Sequence, residues 1–164
     1  MRDCYSKVVA VAKALVLYHS QEYGNTKLMA DAVAQGLKES GCEVTVFNTN
    51  DGRFDITTFP EFACVAFGSP DYFSYIAGGL KTFMDDHYMQ STVKRKEGYT
   101  GKPYALFYSH GGGGKVKMVM MELFKRVGKQ VGKPVNSYGK PNQQTLERCG
   151  ELGRQLGRAA IPKR

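Results

Sequence analysis

Short apolar runs alternate along this chain with longer segments whose apolar residues recur every three or four positions, and few folds accept that pattern. Ala14 to Tyr18 and Ala63 to Phe67 are continuous apolar runs, as expected of strands buried on both faces. Glu43 to Phe47 is rich in β-branched residues, Pro103 to Tyr108 begins with the proline that a strand tolerates at its first position, and Pro134 to Tyr138 is a weaker fifth run. Between them lie the helical patterns. Thr26 to Ser40 carries Leu28, Met29, Ala32, Val33 and Leu37, with Gly41 as its C-terminal stop. Gly78 to Tyr88 carries Leu80, Phe83 and Met84. Lys115 to Val131 carries Val116, Val119, Met120, Leu123, Phe124 and Val127, a stripe that reads as core. Thr145 to Ala159 turns Leu146, Cys149, Leu152 and Leu156 inward.

Strands that alternate with helices imply a doubly wound, five-stranded parallel sheet with right-handed crossovers and helices on both faces. Neither an internal repeat nor a linker interrupts the pattern. The expected organisation is one α/β domain over residues 1–164, with its core at about 14–159. In such sheets ligands gather outside the carboxyl ends of the strands, at the point where the strand order reverses. The loops after strands one, three and four are therefore the ones that bear on function.

The first of these loops is Ser20, Gln21, Glu22, Tyr23, Gly24, Asn25 and Thr26. It sits where a helix N-terminus presents free N–H groups, and those donors and the helix dipole favour a phosphate. No lysine follows in the pattern of a nucleoside-triphosphate loop. The plainer alternative is a capping turn in which Ser20 and Thr26 serve as caps. The second loop runs from Gly68 to Gly79 and holds Ser69, Pro70, Asp71, Tyr72, Phe73, Ser74 and Tyr75. Three aromatic rings in four positions of a polar loop call for something flat and apolar to cover, unless they form a satellite core beneath the loop. The third is Ser109, His110, Gly111, Gly112, Gly113 and Gly114, whose backbone can approach a ligand closely. No carboxylate or nucleophile stands in a legible relation to His110, so it reads as an orienting or solvent-facing residue, and no catalytic residue is assigned.

Charge and cysteine usage narrow the function classes. The formal charge is +8, with basic residues gathered in Lys94, Arg95 and Lys96 and again from Arg158 to Arg164. These are not interleaved with exposed aromatics, so nucleic acid is not the expected partner. Cys4, Cys42, Cys64 and Cys149 lie far apart without a metal-ligand spacing, and they read as reduced, mostly buried thiols. The apolar stretch Val8 to Tyr18 is broken by Lys13 and has no cleavage site after it. With no membrane span in prospect, a cytoplasmic location is expected.

The segments YHSQEYGNTKLMADAVAQGL, FGSPDYFSYIAGGLKTFMD and ALFYSHGGGG resemble the flavodoxin-like superfamily, closest to the branch of tryptophan-repressor-binding-protein-type NAD(P)H:quinone oxidoreductases. The likeness runs from about Ala14 to Ala159, and residues 1–12 carry no part of it. It implies strand order 2-1-3-4-5 and FMN as cofactor. Ser20 to Thr26 would cradle the phosphate, Ser69 to Tyr75 would line the flavin ring with Tyr72 or Phe73 stacked on it, and Ser109 to Gly114 would lie near its other side. Two functions follow from the resemblance: an electron carrier between redox protein partners, or an oxidoreductase that uses NAD(P)H and a quinone. A flavin-free interaction module on the same fold is the third reading, since fold alone does not fix function. Electron-carrier flavodoxins are usually acidic, whereas a basic chain should dock on acidic partners.

Overall fold

A computed structural model describes residues 10–162. Cys4, the first residues of the Val8 to Tyr18 stretch, and Lys163 and Arg164 at the end of the basic terminus lie outside the described residues. The elements in order are β1 (Lys13–Tyr18), α1 (Asn25–Glu39), β2 (Glu43–Asn48), a 3-10 turn (Ile56–Glu61), β3 (Cys64–Pro70), α2 (Gly78–Tyr88) and a π-helical turn (Met89–Val93). There follow β4 (Lys102–His110), α3 (Val116–Phe124), β5 (Gly128–Gln130), β6 (Val135–Tyr138) and α4 (Gln143–Ala160). The sheet is parallel with the order β2-β1-β3-β4-β5, as expected, and β6 also pairs with β4.

Alternation within the buried strands sends successive side chains to opposite faces and so builds two cores. Leu15, Leu17, Val65, Phe67 and Leu106 face α2, α3 and the 3-10 turn, where the Phe67 and Phe124 rings stack at 4.0 Å. Ala14, Val16, Cys64, Ala66 and Ala105 face α1 and α4. These five strand residues are small, which lets the two helices settle close to the sheet and to each other. At their seam the backbones nearly touch. A Cβ added at Gly36 would lie 2.0 Å from the Gly150 carbonyl oxygen, and one at Gly153 would lie 2.2 Å from that of Val33.

Two expectations need correction. The stripe assigned to Lys115 to Val131 ends as a helix at Phe124, and β5 begins at Gly128. Val127 is still buried, but from a turn whose N–H bonds the Phe124 carbonyl. Gly128 runs so close to β4 that a Cβ there would sit 2.1 Å from the Lys102 carbonyl oxygen, so the chain passes at a distance that only glycine permits. The fifth position of the sheet is therefore shared. β5 pairs with Lys102 to Tyr104, and β6 pairs with Phe107 to His110. The second correction concerns α1, where Leu28 is exposed and Met29, Ala30, Val33, Ala34 and Leu37 form the buried stripe.

Cys42, Cys64 and Cys149 are free and buried, and burial pushes the thiols of Cys64 and Cys149 up to about 12. Among the described residues, no helix is long and apolar enough to cross a membrane.

Candidate functional site

β1, β3 and β4 are neighbours in the sheet, so their carboxyl ends deliver the three sequence-marked loops to one place. A cleft of about 230 Å³ is lined there by all seven residues from Ser20 to Thr26 together with Pro70, Tyr72 and Ser109. A second hollow of about 280 Å³ shares Tyr23, Asn25, Pro70, Tyr72 and Ser109 with it and adds Asp71, His110, Gly111 and Gly139. Ser69, Phe73, Ser74, Tyr75 and Gly112 to Gly114 do not line either hollow.

The start of α1 has the character of an anion site. Its N-cap is Gly24, held in the left-handed region at φ 67°, and no side chain caps the helix. A Cβ would meet nothing at Gly24, so glycine is required there by the dihedral angle alone. The capping alternative for Ser20 and Thr26 does not hold. Thr26 is buried, and its hydroxyl is hydrogen-bonded to that of Ser109 at 2.8 Å, tying the first loop to the third. Ser20 is fixed through its backbone, whose N–H donates to Asn48 Oδ1 and whose carbonyl accepts from Asn48 Nδ2, both at 3.0 Å. The first-turn N–H groups of α1 thus face the cleft without a side-chain acceptor, which is the donor set that a phosphate monoester would satisfy.

The second loop is a tight hairpin. Tyr72 and Tyr75 exchange both backbone N–H···O bonds at 3.0 Å, and Phe73 and Ser74 between them have φ values of 54° and 61°. Positive φ at both central positions makes a type I′ turn, a geometry that normally selects glycine or asparagine. No satellite core forms under it: Phe73 is 103% exposed, and Tyr72 and Tyr75 are also exposed. The Tyr72 hydroxyl donates to Gln21 Oε1 at 2.9 Å, and its ring meets His19 edge-on at 5.8 Å. Burial pushes the Tyr72 phenol up, with the charge of Glu22 adding to the effect.

Not every residue of the loop is free for a ligand. Ser69 is buried, with its hydroxyl donating to the Pro70 carbonyl and accepting from the Ala77 N–H. Asp71 accepts from the Val116 N–H at 3.1 Å and so supplies the anion at the start of α3. In the third loop Gly113 and Gly114 have φ of 75° and 60°, turning the chain into α3. The His110 ring leans on Tyr138 at 5.5 Å, and its buried Nδ1 has no partner.

Asn48, His19 and Gly139 also belong to this edge and are absent from the sequence-based set. His19 is buried, with Nδ1 2.9 Å from the Thr49 hydroxyl. Asn48 ends β2 and Gly139 follows β6, so applying the carboxyl-end rule to strands two and five would have found both.

The flavodoxin family model matches residues 16–153. The chain belongs to the flavodoxin family. FMN is the cofactor of that family, as expected. The chain is 28% identical over 149 residues to the anaerobic nitric oxide reductase flavorubredoxin of Shigella flexneri, a match that covers 88% of this chain and 29% of that one. It spans between 25% and 35% of the length of the first curated relatives it matches. A solved flavodoxin from the domain Archaea superposes with a TM-score of 0.75 at 26% identity, covering 90% of this chain and 98% of the other. A WrbA-like flavodoxin from Agrobacterium tumefaciens shares the fold, with a TM-score of 0.74 at 18% identity over 91% and 97% of the two chains.

The arrangement fits FMN on its own geometry. An uncapped helix N-terminus suits the phosphate, Tyr72 lines the cleft as a wall for a flat ring, and Phe73 and Tyr75 are exposed on the same hairpin. The cofactor, when bound, supplies the electron-transfer chemistry. The residues that line the cleft would hold the ring and limit its contact with water.

Proposed function

We propose that this flavodoxin holds FMN in the cleft between Ser20–Thr26, Ser69–Tyr75 and Ser109–Gly114, and carries electrons between redox protein partners in the cytoplasm. The observation that carries the reading is the uncapped start of α1 opening onto the same cleft as the exposed Tyr72–Tyr75 hairpin. Backbone N–H groups of α1 bind the phosphate, and Tyr72 or Phe73 stacks on the ring. Ser69 and Asp71 act at one remove, by holding the loop and the start of α3 in place. Three free, buried cysteines suit a reducing compartment.

Titration of the apoprotein with FMN, riboflavin and FAD tests the site. FMN should bind at least tenfold more tightly than riboflavin, since one charge-assisted hydrogen bond contributes about 1.5–3 kcal/mol. Equal affinities would refute the phosphate assignment. Steady-state NADPH oxidation with a quinone acceptor separates the carrier from the oxidoreductase that the resemblance also allows. A carrier turns over slowly in that assay, and rapid turnover would establish the enzyme instead.

A further inference from the structure

The net charge of +8 is not spread evenly with respect to the cleft. Lys94, Arg95 and Lys96, the densest basic run, follow α2 and precede β4, so they lie at the amino ends of the strands. β4 runs nine residues from Lys102 to His110 between that end and the cleft. At about 3.3 Å per residue this is a separation of roughly 26 Å, several times the roughly 8 Å over which salt screens a charge at physiological strength. That run cannot steer a partner to the flavin edge.

A different set of cations can. Lys115 and Lys117 occupy the N-cap and first turn of α3, directly after the glycine loop, and Lys140 follows Gly139. The Gly139 N–H donates to the His110 carbonyl at 2.8 Å, which brings Lys140 and the glycine loop to one rim of the cleft. All three lysines are exposed, and among the described residues none of them forms an ion pair. Cations at a helix N-terminus oppose its dipole, and this first turn holds no acidic residue of its own. The helix therefore gains nothing from Lys115 and Lys117. The opposite rim, toward β2, carries the exposed carboxylates of Glu22 and Asp51. Tyr138, on the lysine rim, and Tyr23, on the first loop, are both largely exposed aromatics of the kind found at the centre of protein interfaces.

We propose that the rim formed by Lys115, Lys117, Lys140 and Tyr138 is the docking surface for an acidic redox protein. Glu22 and Asp51 fix the orientation by repelling its negative patch from the far side. The proposal rests on the cleft being the flavin site, because the rim matters for electron transfer only if the flavin edge opens beside it.

Docking is measured on the isotope-labelled, FMN-loaded protein by amide chemical-shift perturbation, with a plant-type ferredoxin as acidic probe and cytochrome c as basic probe. The ferredoxin should perturb residues 111–117 and 138–140, and cytochrome c should leave them unmoved. Shifts centred on residues 94–96, or none at low salt, would overturn the proposal. Stopped-flow electron exchange with ferredoxin gives the second reading. Replacing Lys115, Lys117 and Lys140 together by Gln should slow it about tenfold at low ionic strength and flatten its salt dependence. Replacing Lys94, Arg95 and Lys96 by Gln should change it less than twofold. An equal loss in both triple variants would refute the assignment of the rim. The flavin spectrum of each variant reports the cofactor site separately: a protein without flavin absorbance that still shows the 111–117 and 138–140 shifts keeps the docking surface and loses the FMN reading.

Discussion

The seam between α1 and α4 offers a test in which two neighbouring glycines should respond in opposite directions. Both Gly150 and Gly153 lie inside α4, where replacing glycine by alanine gains about 1 kcal/mol of helix propensity if nothing else changes. A Cβ at Gly150 would have its nearest neighbour at 3.6 Å, the guanidinium end of Arg154 at ordinary van der Waals distance, so Gly150→Ala should keep that gain. A Cβ at Gly153 would sit 2.2 Å from the Val33 carbonyl oxygen and 3.0 Å from the Leu37 N–H nitrogen. Both are backbone atoms, and no rotamer change relieves them. The helices must part by about 1 Å, which forfeits a quarter to a half of each dispersion contact along the seam. Overpacking of this kind costs about 1–3 kcal/mol or more, against the same propensity gain. Gly153→Ala should therefore be net destabilising and Gly150→Ala net stabilising, with the two about 1–3 kcal/mol apart. Thermal and urea unfolding of the apoproteins measure this, at about 2–4 °C per kcal/mol for a chain of this size. If Gly153→Ala melts at or above Gly150→Ala, the close approach of α1 and α4 is wrong.

Three further outcomes follow from the site and its surroundings. Tyr72→Leu or Phe73→Leu should weaken FMN binding by about 0.5–1.5 kcal/mol beyond lost burial and restore flavin fluorescence; quenching unchanged in both would remove the stacking role. Ser74→Gly relieves a left-handed residue at the second central position of the hairpin, so the apoprotein should melt a few degrees higher, and a lower melting point would argue against the type I′ turn. His87 is buried, with burial pulling its pKa below the ordinary value while its Nε2–H donates to the Tyr99 carbonyl at 2.7 Å. The unfolded chain then binds the proton first, so stability is full above the unfolded pKa near 6.5 and falls as pH drops toward the depressed folded value. His87→Gln should flatten urea midpoints between pH 7.5 and 5.5, and an unaltered slope would exonerate this histidine.

The sequence announces its strands because the sheet is covered on both faces, so β1, β3 and most of β4 appear as apolar runs without alternation. The edges are harder. Gly128, Lys129 and Gln130 make a strand with no apolar side chain, and only its pairing to Lys102–Tyr104 defines it. Val127 misleads because it keeps helical spacing beyond the point where the helix stops; the glycine after it was the available stop signal. Leu28 misleads in the opposite way, as an apolar residue on the exposed face beside a stripe completed by two alanines. At the site, loop positions were legible from topology, but individual roles were not. Nothing in the sequence distinguishes Ser69, which secures its own loop, from Ser20, which lines the cleft. Asn48 was within reach of the same topological rule at the end of β2, but its pair of bonds to the Ser20 backbone has no sequence signature.

The shared fifth strand position makes the sheet a jointed edge. β5 ends against Tyr104 and β6 resumes against Phe107, while Gly132 and Lys133 between them are exposed. Only β6 reaches the cleft, delivering Tyr138 and Gly139. Extra chain placed between Gly132 and Lys133 would lengthen a surface loop, at an entropic cost that grows only slowly with length, and would leave the loops around the cofactor in register. A fluorophore-bearing tag or a tethering peptide grafted at that joint would then report on, or recruit, the protein from its flank without crowding the electron-transfer edge.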